Sequence, residues 1–580
     1  MSVQSKRWII YPKAPASHLA RLAHINELLV QVLWNRGVQT PDDVEAFLRG
    51  ETRPDDPFRL RGMNEAVTRI RAAIREGQRI AVYGDFDADG VTSTALLVQA
   101  LTALGAQVRP YIPHRVDEGY GLNNNALGEL AREGQQLVIT VDCGIRSVDE
   151  VAYANRLGLD VIVTDHHSIG SELPPALAVI NPKRTDCPYP FKGLAGVGLA
   201  FKLAQGLLRS HQRVPIRKDI TTDLEEEALL DLVAIGTVAD LAPLLDENRQ
   251  LVQRGLVQLN HTQRPGLQAM LATCSLQPGQ ITASSIGFML GPRLNAAGRL
   301  DNAIHSFTLL ATDDVFKAHE LAAMLDRLNK ERQEITGQTF EQAQAQIEAA
   351  GEEQFLHIAA GENFLSGIVG LVAGKLTEHY YRPSLVLELG KTHSRGSARS
   401  IAEFDITAAL DQCAAEGLLV RHGGHAAAAG LTVDNNKLPA LQHRLRELAA
   451  DALADKDLRP PLLIDQEIKL GDVDFAKLGL LAELEPTGYA NPQPRLLSRG
   501  LKVRDARRVG ANGAHLKVSF NDPAAGPRSH QIWDAIAFRQ GDWFGRLPTH
   551  VDVVYALEKN VWNGETRLQL VVDDLRPAQP

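Results

Sequence analysis

"YGDFDADGVTST", residues 83–94, sets Asp85, Asp87 and Asp89 at alternate positions and follows them with a glycine. No lysine or arginine lies within the stretch to neutralise them. Just before it, "RIAVYG" (79–84) has the composition of a buried strand. "GVTSTALLVQALTALG" (90–105) then takes helical spacing. The three acids therefore stand where a strand ends and a helix begins, the edge at which open α/β sheets collect their ligands.

The same reading extends outward. "QVRPYIP" (107–113), "LVITVDCG" (137–144), "DVIVTDHH" (160–167) and "LAVINP" (177–182) are further strands, with "VDEVAYANRLG" (148–158) a helix among them. Short β-rich runs alternating with helices predict right-handed βαβ units and a mostly parallel sheet. Their ends carry Asp142, then Asp165, His166 and His167, and a later helix closes on "GTVAD" at Asp240. One aspartate after a strand is often only a helix N-cap. Four acid-bearing ends are harder to explain that way. A calcium loop fails on spacing, because the twelfth position counted from Asp85 is Leu96 rather than Glu. Oxygen ligands with an imidazole suit Mg²⁺ or Mn²⁺, and two ions roughly 3.5–4 Å apart would clamp a phosphoryl displacement.

Residues 1–78 read as an N-terminal helical segment, through "TPDDVEAFLRG" (40–50) and "MNEAVTRIRAAIREGQ" (63–78), expected to pack on the catalytic domain. That domain is expected over 79–310. A long amphipathic helix from 313 to 350 lies within a connecting segment, 311–352. A second α/β domain follows over 353–455. "ADKDLRPPLLID" (454–465) is a junction, and the short alternating strands of 460–580 predict a small OB-like β-barrel.

With 580 residues, several cores are expected. The 44% hydrophobic and 23% charged composition is that of a soluble protein, and apolar runs are too short to span a bilayer. Four scattered cysteines suit a reducing cytoplasm and exclude a zinc ribbon. The net charge of −9 means that a nucleic acid would need a local basic groove. "SRGLKVRDARRVG" (498–510) offers one, with Arg499, Lys502, Arg504, Arg507 and Arg508. Trp533, Phe538, Trp543, Phe544 and Trp562 follow it as stacking faces or barrel core. Lys502, Arg507 and Lys517 are expected on the DNA side.

"YGDFDADGVTST", "TVDCGI", "VTDHH" and "IGTVADLAPL" stand in the order of the four motifs of the DHH phosphoesterase superfamily, which the chain resembles. "EGYGL", "AGVGLAFKL", "GPRLNAAGRL", "RGSARSI" and "HGGHAAAAG" extend the likeness from about residue 20 to the C-terminus. Length and the C-terminal β-domain point to the branch of 5′→3′ exonucleases specific for single-stranded DNA. The resemblance implies a DHH domain, a DHHA1-type second domain and two Mn²⁺ or Mg²⁺ ions. It implies metal ligands at Asp85, Asp87, Asp89, Asp142, His166 and Asp240, with Asp165 orienting the histidines and His167 touching the scissile phosphate. Asp87, Asp89, Asp142, His166, His167 and Asp240 would carry the catalysis. Arg115, Arg299, Ser397, Arg399 and His425 would grip phosphates. Implied partners are single-stranded DNA, a single-strand-binding protein and a repair helicase or recombination mediator; a monomer is expected.

Three departures stand out. Phe86 replaces the usual Tyr, Phe364-Leu365 the usual Trp-His, and "EPTGYANPQP" the usual Gly-x-Gly-Asn-Pro. Within the superfamily, an oligoribonuclease or pAp phosphatase and an inorganic pyrophosphatase are the rivals; both are shorter and lack the final domain. A non-catalytic DNA-binding replication subunit would have eroded carboxylates, yet every motif acid is present.

Overall fold

The computed structural model describes residues 6–50, 55–115, 117–351, 354–562 and 565–578, the side chains of Val561 and Trp562 excepted. The chain divides into two compact units, Met1–Thr52 with Arg459–Pro580, and Arg53–Leu458. The N-terminal segment expected over 1–78 is thus divided between the two units. Its last helix, Met63–Arg75, with Leu60 just before it, buries Met63, Val67 and Ile70 in the core of the parallel sheet. The strand β1 (Arg7–Ile10) instead pairs in parallel with residues 461–464. Trp8 Nε1 donates to Asp574 Oδ2 at 2.7 Å, and the Arg576 guanidinium lies 3.9 Å from the Trp8 ring centroid. Helical periodicity marks an apolar face but not the partner that covers it.

In the larger unit, β2 (Arg79–Gly84), β3 (Gln107–Tyr111), β4 (Leu137–Val141), β5 (Asp160–Thr164) and β6 (Ala178–Ile180) form an all-parallel sheet in the order β3-β2-β4-β5-β6. Ile80 and Val82 of β2 enter one core with the helices Met63–Arg75, Ala88–Ala103 and Gly196–Arg213. Ala81 and Tyr83, on the opposite face, enter another with Asn124–Arg132 and Val148–Arg156. Both faces are covered, which is why the strand reads as a continuous apolar run rather than an alternation.

The helix Val315–Ala350 has 36 residues and spans about 54 Å. Its Ala318, Leu321 and Leu325 belong to the first core, while Ala343 and Ile347 pack with the helix Ser366–Tyr380. Beyond it, β7 (His357–Gly361), β8 (Ser384–Glu388), β9 (His393–Arg399), β10 (Arg421–His425) and β11 (Ala428–Asp434) form a second sheet, ordered β10-β11-β9-β8-β7, in which only β7 and β8 are parallel.

In the smaller unit, β12 (Pro461–Ile464) pairs with β1, and β13 (Gln466–Glu467) with β14 (Leu496–Val509). With β15 (His515–Asn521), β16 (Trp533–Ala537), β17 (His550–Trp562) and β18 (Glu565–Pro577), β14 closes a five-stranded barrel, β14-β15-β16-β18-β17-β14, with β16 and β18 parallel. Among the described residues, no helix is long and apolar enough to cross a membrane.

Candidate metal centre

The site begins at the end of β2. Asp87 is the N-cap of the helix Ala88–Ala103, its Oδ1 accepting the Asp89 and Gly90 N–H groups at 3.0 and 3.1 Å. The modest reading of an acid after a strand thus holds for one oxygen of Asp87. Gly90 must be glycine, since a Cβ there would come within 2.5 Å of the Asp85 backbone. Asp89 is buried, and both of its oxygens accept backbone N–H groups, Val197 on Oδ1 and Gly196 on Oδ2, each at 2.7 Å. These donors open the helix Gly196–Arg213, whose N-terminal dipole favours a carboxylate.

Asp142 follows β4 with φ of 61°, a left-handed conformation that non-glycine residues adopt mainly where tertiary structure imposes it. Gly196 backs against it, and a Cβ there would meet the Asp142 side chain at 2.7–2.9 Å. His166 Nε2 lies 3.0 Å from Asp142 Oδ1, 3.7 Å from Asp240 Oδ2 and 3.9 Å from Asp89 Oδ2. Three groups of ligand atoms, Asp85–Asp87–Asp142, Asp89–His166–Asp240 and Asp142–His166–His167, each fall within 4.8 Å. Asp85 Oδ1, Asp142 Oδ1 and His166 Nε2 are buried without a hydrogen-bond partner, a cost of about 1–3 kcal/mol for each such group.

Burial and then mutual repulsion push the carboxylates up. Asp85 reaches about 8, with Asp87 the main neighbour; Asp89 reaches about 7, again beside Asp87; Asp240 reaches about 9, beside Asp89 and Asp87. Asp142 is driven far above the ordinary carboxylate range by burial and by Asp89, Asp87 and Asp85. Burial and the neighbouring His167 hold His166 near 3, so its ring is neutral. Neutral imidazole and crowded, unsatisfied carboxylates form a donor set that fits hard divalent cations.

Asp165 stands behind the histidines. Its Oδ2 accepts Ile145 N–H at 2.9 Å, and its Oδ1 takes His167 N–H at 2.9 Å and lies 2.8 Å from His167 Nδ1. Burial works against ionisation at both groups, but their contact outweighs it: Asp165 is held below the usual carboxylate range and His167 above the usual imidazole range. It is thus His167, not His166, that Asp165 grips. Two supports escape sequence reasoning. Asn181, fully buried after β6, donates to the His167 carbonyl at 3.0 Å. Tyr120 of "EGYGL" donates to the Asp142 carbonyl at 3.4 Å. Neither carries a local motif signal beyond lying near a strand end or a glycine turn.

The phosphate candidates divide. The Arg115 guanidinium carbon is 3.9 Å from the Phe86 ring centroid. Arg299 Nη1 donates to the Gly367 carbonyl at 3.1 Å, and Arg399 Nη1 to Ser397 Oγ at 2.9 Å. Burial, then Arg115 and Arg399 among its neighbours, lowers Arg299 to about 9, so these guanidiniums share one electrostatic neighbourhood. His425 is exposed at the end of β10, its ring accepting Ala427 N–H at 3.3 Å; no described contact joins it to the acids.

In the smaller unit, Arg507 on β14 lies directly opposite Lys517 on β15, and Lys502 opposite Asn521. Like charges facing across a ladder destabilise it, a placement that a polyanion would relieve. Arg499 is instead neutralised by Glu467 and Asp552. Trp533 is buried in the barrel, whereas Phe538 and Phe544 are exposed. The side chain of Trp562 lies outside the described residues.

A parallel sheet rimmed with these acids, followed by a long helix and a second α/β sheet, is the architecture of a DHH phosphoesterase. Residues 79–237 match the DHH family N-terminal domain, 352–451 the DHHA1 domain and 464–574 the RecJ OB domain. The chain is 39% identical over 581 residues to the single-stranded-DNA-specific exonuclease RecJ of Bacillus subtilis, covering 99% of this chain and 71% of that one. With the Escherichia coli protein of the same name it is 36% identical over 576 residues, 96% of each chain. The crystal structure of Thermus thermophilus RecJ with Mn²⁺ matches with a TM-score of 0.82 at 31% identity, over 99% of this chain and 80% of that one. Its Mg²⁺ counterpart matches with 0.77 at 30% identity, over 99% and 79%. The chain belongs to the RecJ family.

Proposed function

We propose that this chain is a divalent-metal-dependent exonuclease that degrades single-stranded DNA in the 5′→3′ direction, releases 5′-mononucleotides, and serves recombination and repair. The observation that carries this reading is the convergence of three ligand groups, linked through Asp142 and His166, at one sheet rim. The supporting likeness is to single-stranded-DNA-specific exonucleases over nearly the whole chain.

Asp85, Asp87, Asp89, Asp142, His166 and Asp240 would hold two ions, Mn²⁺ or Mg²⁺ as in the Thermus protein. Bound there, such ions lower the pKa of water and offset charge on the phosphate oxygens. Water adds to phosphorus, and the 3′ oxygen of the terminal nucleotide leaves and takes up a proton. Asp165 keeps the Nδ1 proton on His167, leaving Nε2 to exchange a proton or hydrogen bond at the scissile phosphate. Arg115, Arg299, Ser397, Arg399 and His425 would position the strand by its phosphates. On the barrel, Lys502, Arg507 and Lys517, with Phe538 and Phe544, would bind single-stranded DNA. We assign the protein to the cytoplasm, where its four buried free cysteines stay reduced. It would work as a monomer beside a single-strand-binding protein and a helicase or recombination mediator.

The test is cleavage of 5′- and 3′-labelled single strands with Mn²⁺ or Mg²⁺, with duplex and RNA as comparisons. Mononucleotide should appear first from the 5′ label. First release from the 3′ label would sink the assignment.

A further inference from the structure

The long helix Val315–Ala350 does more than join two sheets. The helix Gly291–Leu300, which carries Arg299, is fastened along it by Arg293, whose Nε donates to Asp326 Oδ1 at 3.0 Å and whose Nη1 donates to the Met289 carbonyl at 2.8 Å. Arg293 shows how a structural arginine in this region is satisfied: one carboxylate, one carbonyl. Further along the same helix stands Arg332, which has neither. Its Nε is buried without a partner, and among the described residues its side chain enters no ion pair or hydrogen bond. One turn back, Asn329 is only 2% exposed, and its Oδ1 is likewise unpartnered.

Burial and then the like charge of Arg293 lower the proton affinity of Arg332. Arg332 in turn acts on Arg299, as do Arg115 and Arg399. The Nε atoms of Arg115 and Arg299 are also buried and unsatisfied. None of the guanidiniums of Arg115, Arg299, Arg332 and Arg399 has a carboxylate within ion-pair distance among the described residues. Each cation so placed loses hydration without gaining an ion-pair partner, a cost that an anion with several oxygens completing the site would offset.

We propose that Arg332, with Asn329 beside it, is a fourth cation of the phosphate-gripping cluster and contacts a phosphate of the single strand, making the connecting helix part of the binding site. The proposal rests on the exonuclease reading and adds a residue from an element otherwise assigned only a linking role. Phosphate oxygens supply the acceptors that the Arg332 fork lacks, and an Asn329 amide turned outward can donate to the same group. The phosphate is either the terminal one or an internal diester, and the two differ in charge.

The experiment is equilibrium binding of 3′-labelled single strands in EDTA, so that no hydrolysis intervenes, across a range of salt. One strand carries a 5′-phosphate and the other a 5′-hydroxyl. Arg332→Gln should bind about tenfold more weakly, with a log–log salt slope shallower by about 0.7. Arg332→Lys should restore the slope. A loss confined to the phosphorylated strand identifies the terminal phosphate as the ligand; an equal loss on both identifies an internal one. If the Gln variant melts below the assay temperature, Arg332→Met, which keeps the aliphatic stem, carries the same expectation. Unchanged binding by these variants overturns the proposal. So does weaker binding with an unaltered slope and no rescue by lysine, the pattern of a structural role. If wild-type protein neither binds single strands nor cleaves them with Mn²⁺, the exonuclease reading itself falls.

Discussion

The acidic rim packs Asp85, Asp89 and Asp142 into near-complete burial, while the arginine cluster packs Arg115, Arg299, Arg332 and Arg399 with burial lowering the proton affinity of each. Both concentrate one sign of charge out of water. They differ in how the protein holds the groups. The acids are clamped by backbone: Asp89 by Gly196 and Val197 N–H, Asp87 as a helix cap, Asp142 on a left-handed residue. The arginines hang on long stems from two helices, a strand and the loop after β3, and among the described residues their hydrogen-bond and ring partners are carbonyls, a hydroxyl and the Phe86 ring. A rigid donor set selects a small ion by geometry, whereas flexible forks follow a larger, variable anion. Substitutions in the rim should therefore act on turnover, and those in the cluster on binding.

The most severe break is Asp142→Ala. Cleavage should fall by about 10³-fold or more, since the residue belongs to two of the three ligand groups. Single-strand binding should largely persist, and the metal-free protein should melt no lower, because a buried carboxyl oxygen without a hydrogen-bond partner is gone. Equal loss of binding and cleavage in an anisotropy assay beside a turnover assay would erase the distinction between the two regions.

Next in size is the response to metal and pH. Asp85, Asp89 and Asp240 have folded values of about 8, 7 and 9 against an ordinary 3.8. The folded state therefore binds more protons than the unfolded one, and their contribution, full below about pH 4, is lost as pH rises through 7–9. His166, depressed from 6.5 to about 3, works the opposite way, but only below pH 6.5. In EDTA, the melting temperature should drop from pH 6.5 to 9. Mn²⁺ at a hundred times its Kd should add about 2.7 kcal/mol, and more at the alkaline end, where protons no longer compete. A melting curve indifferent to both would leave the rim as an ordinary buried network.

Arg299→Gln is the mildest. It removes one of four like charges and one hydrogen bond to Gly367. Steady-state kinetics on single strands should show KM raised about tenfold with kcat nearly kept. A fall in kcat alone would place Arg299 with the rim instead.

These contrasts also explain what could be read in advance. The rim was legible because a parallel sheet delivers its strand ends to one edge, so Asp85, Asp142 and Asp165 announce themselves by following apolar strands, and Asp240 by closing an apolar helix. Their division of labour was not: Asp165 holds His167 through a 2.8 Å contact, and no spacing rule says which histidine it grips. The closed barrel followed from alternating strands, yet the burial of Trp533 and the exposure of Phe538 depend on which pleat face turns inward. Residues 7–10 were read as part of a helical segment, yet they form β1, because the edge they join, at β12, lies far along the chain.

By itself, then, the chain's order of residues determined the element types, the metal-suited chemistry and the edge at which it gathers, because periodicity and strand-end position are local properties. Tertiary structure alone decided that Gly196 and Val197 clamp Asp89, that β1 joins β12, and that Arg299 Nη1 reaches the Gly367 carbonyl. Those contacts join segments far apart in the chain, and nothing in the local pattern of either segment encodes the other.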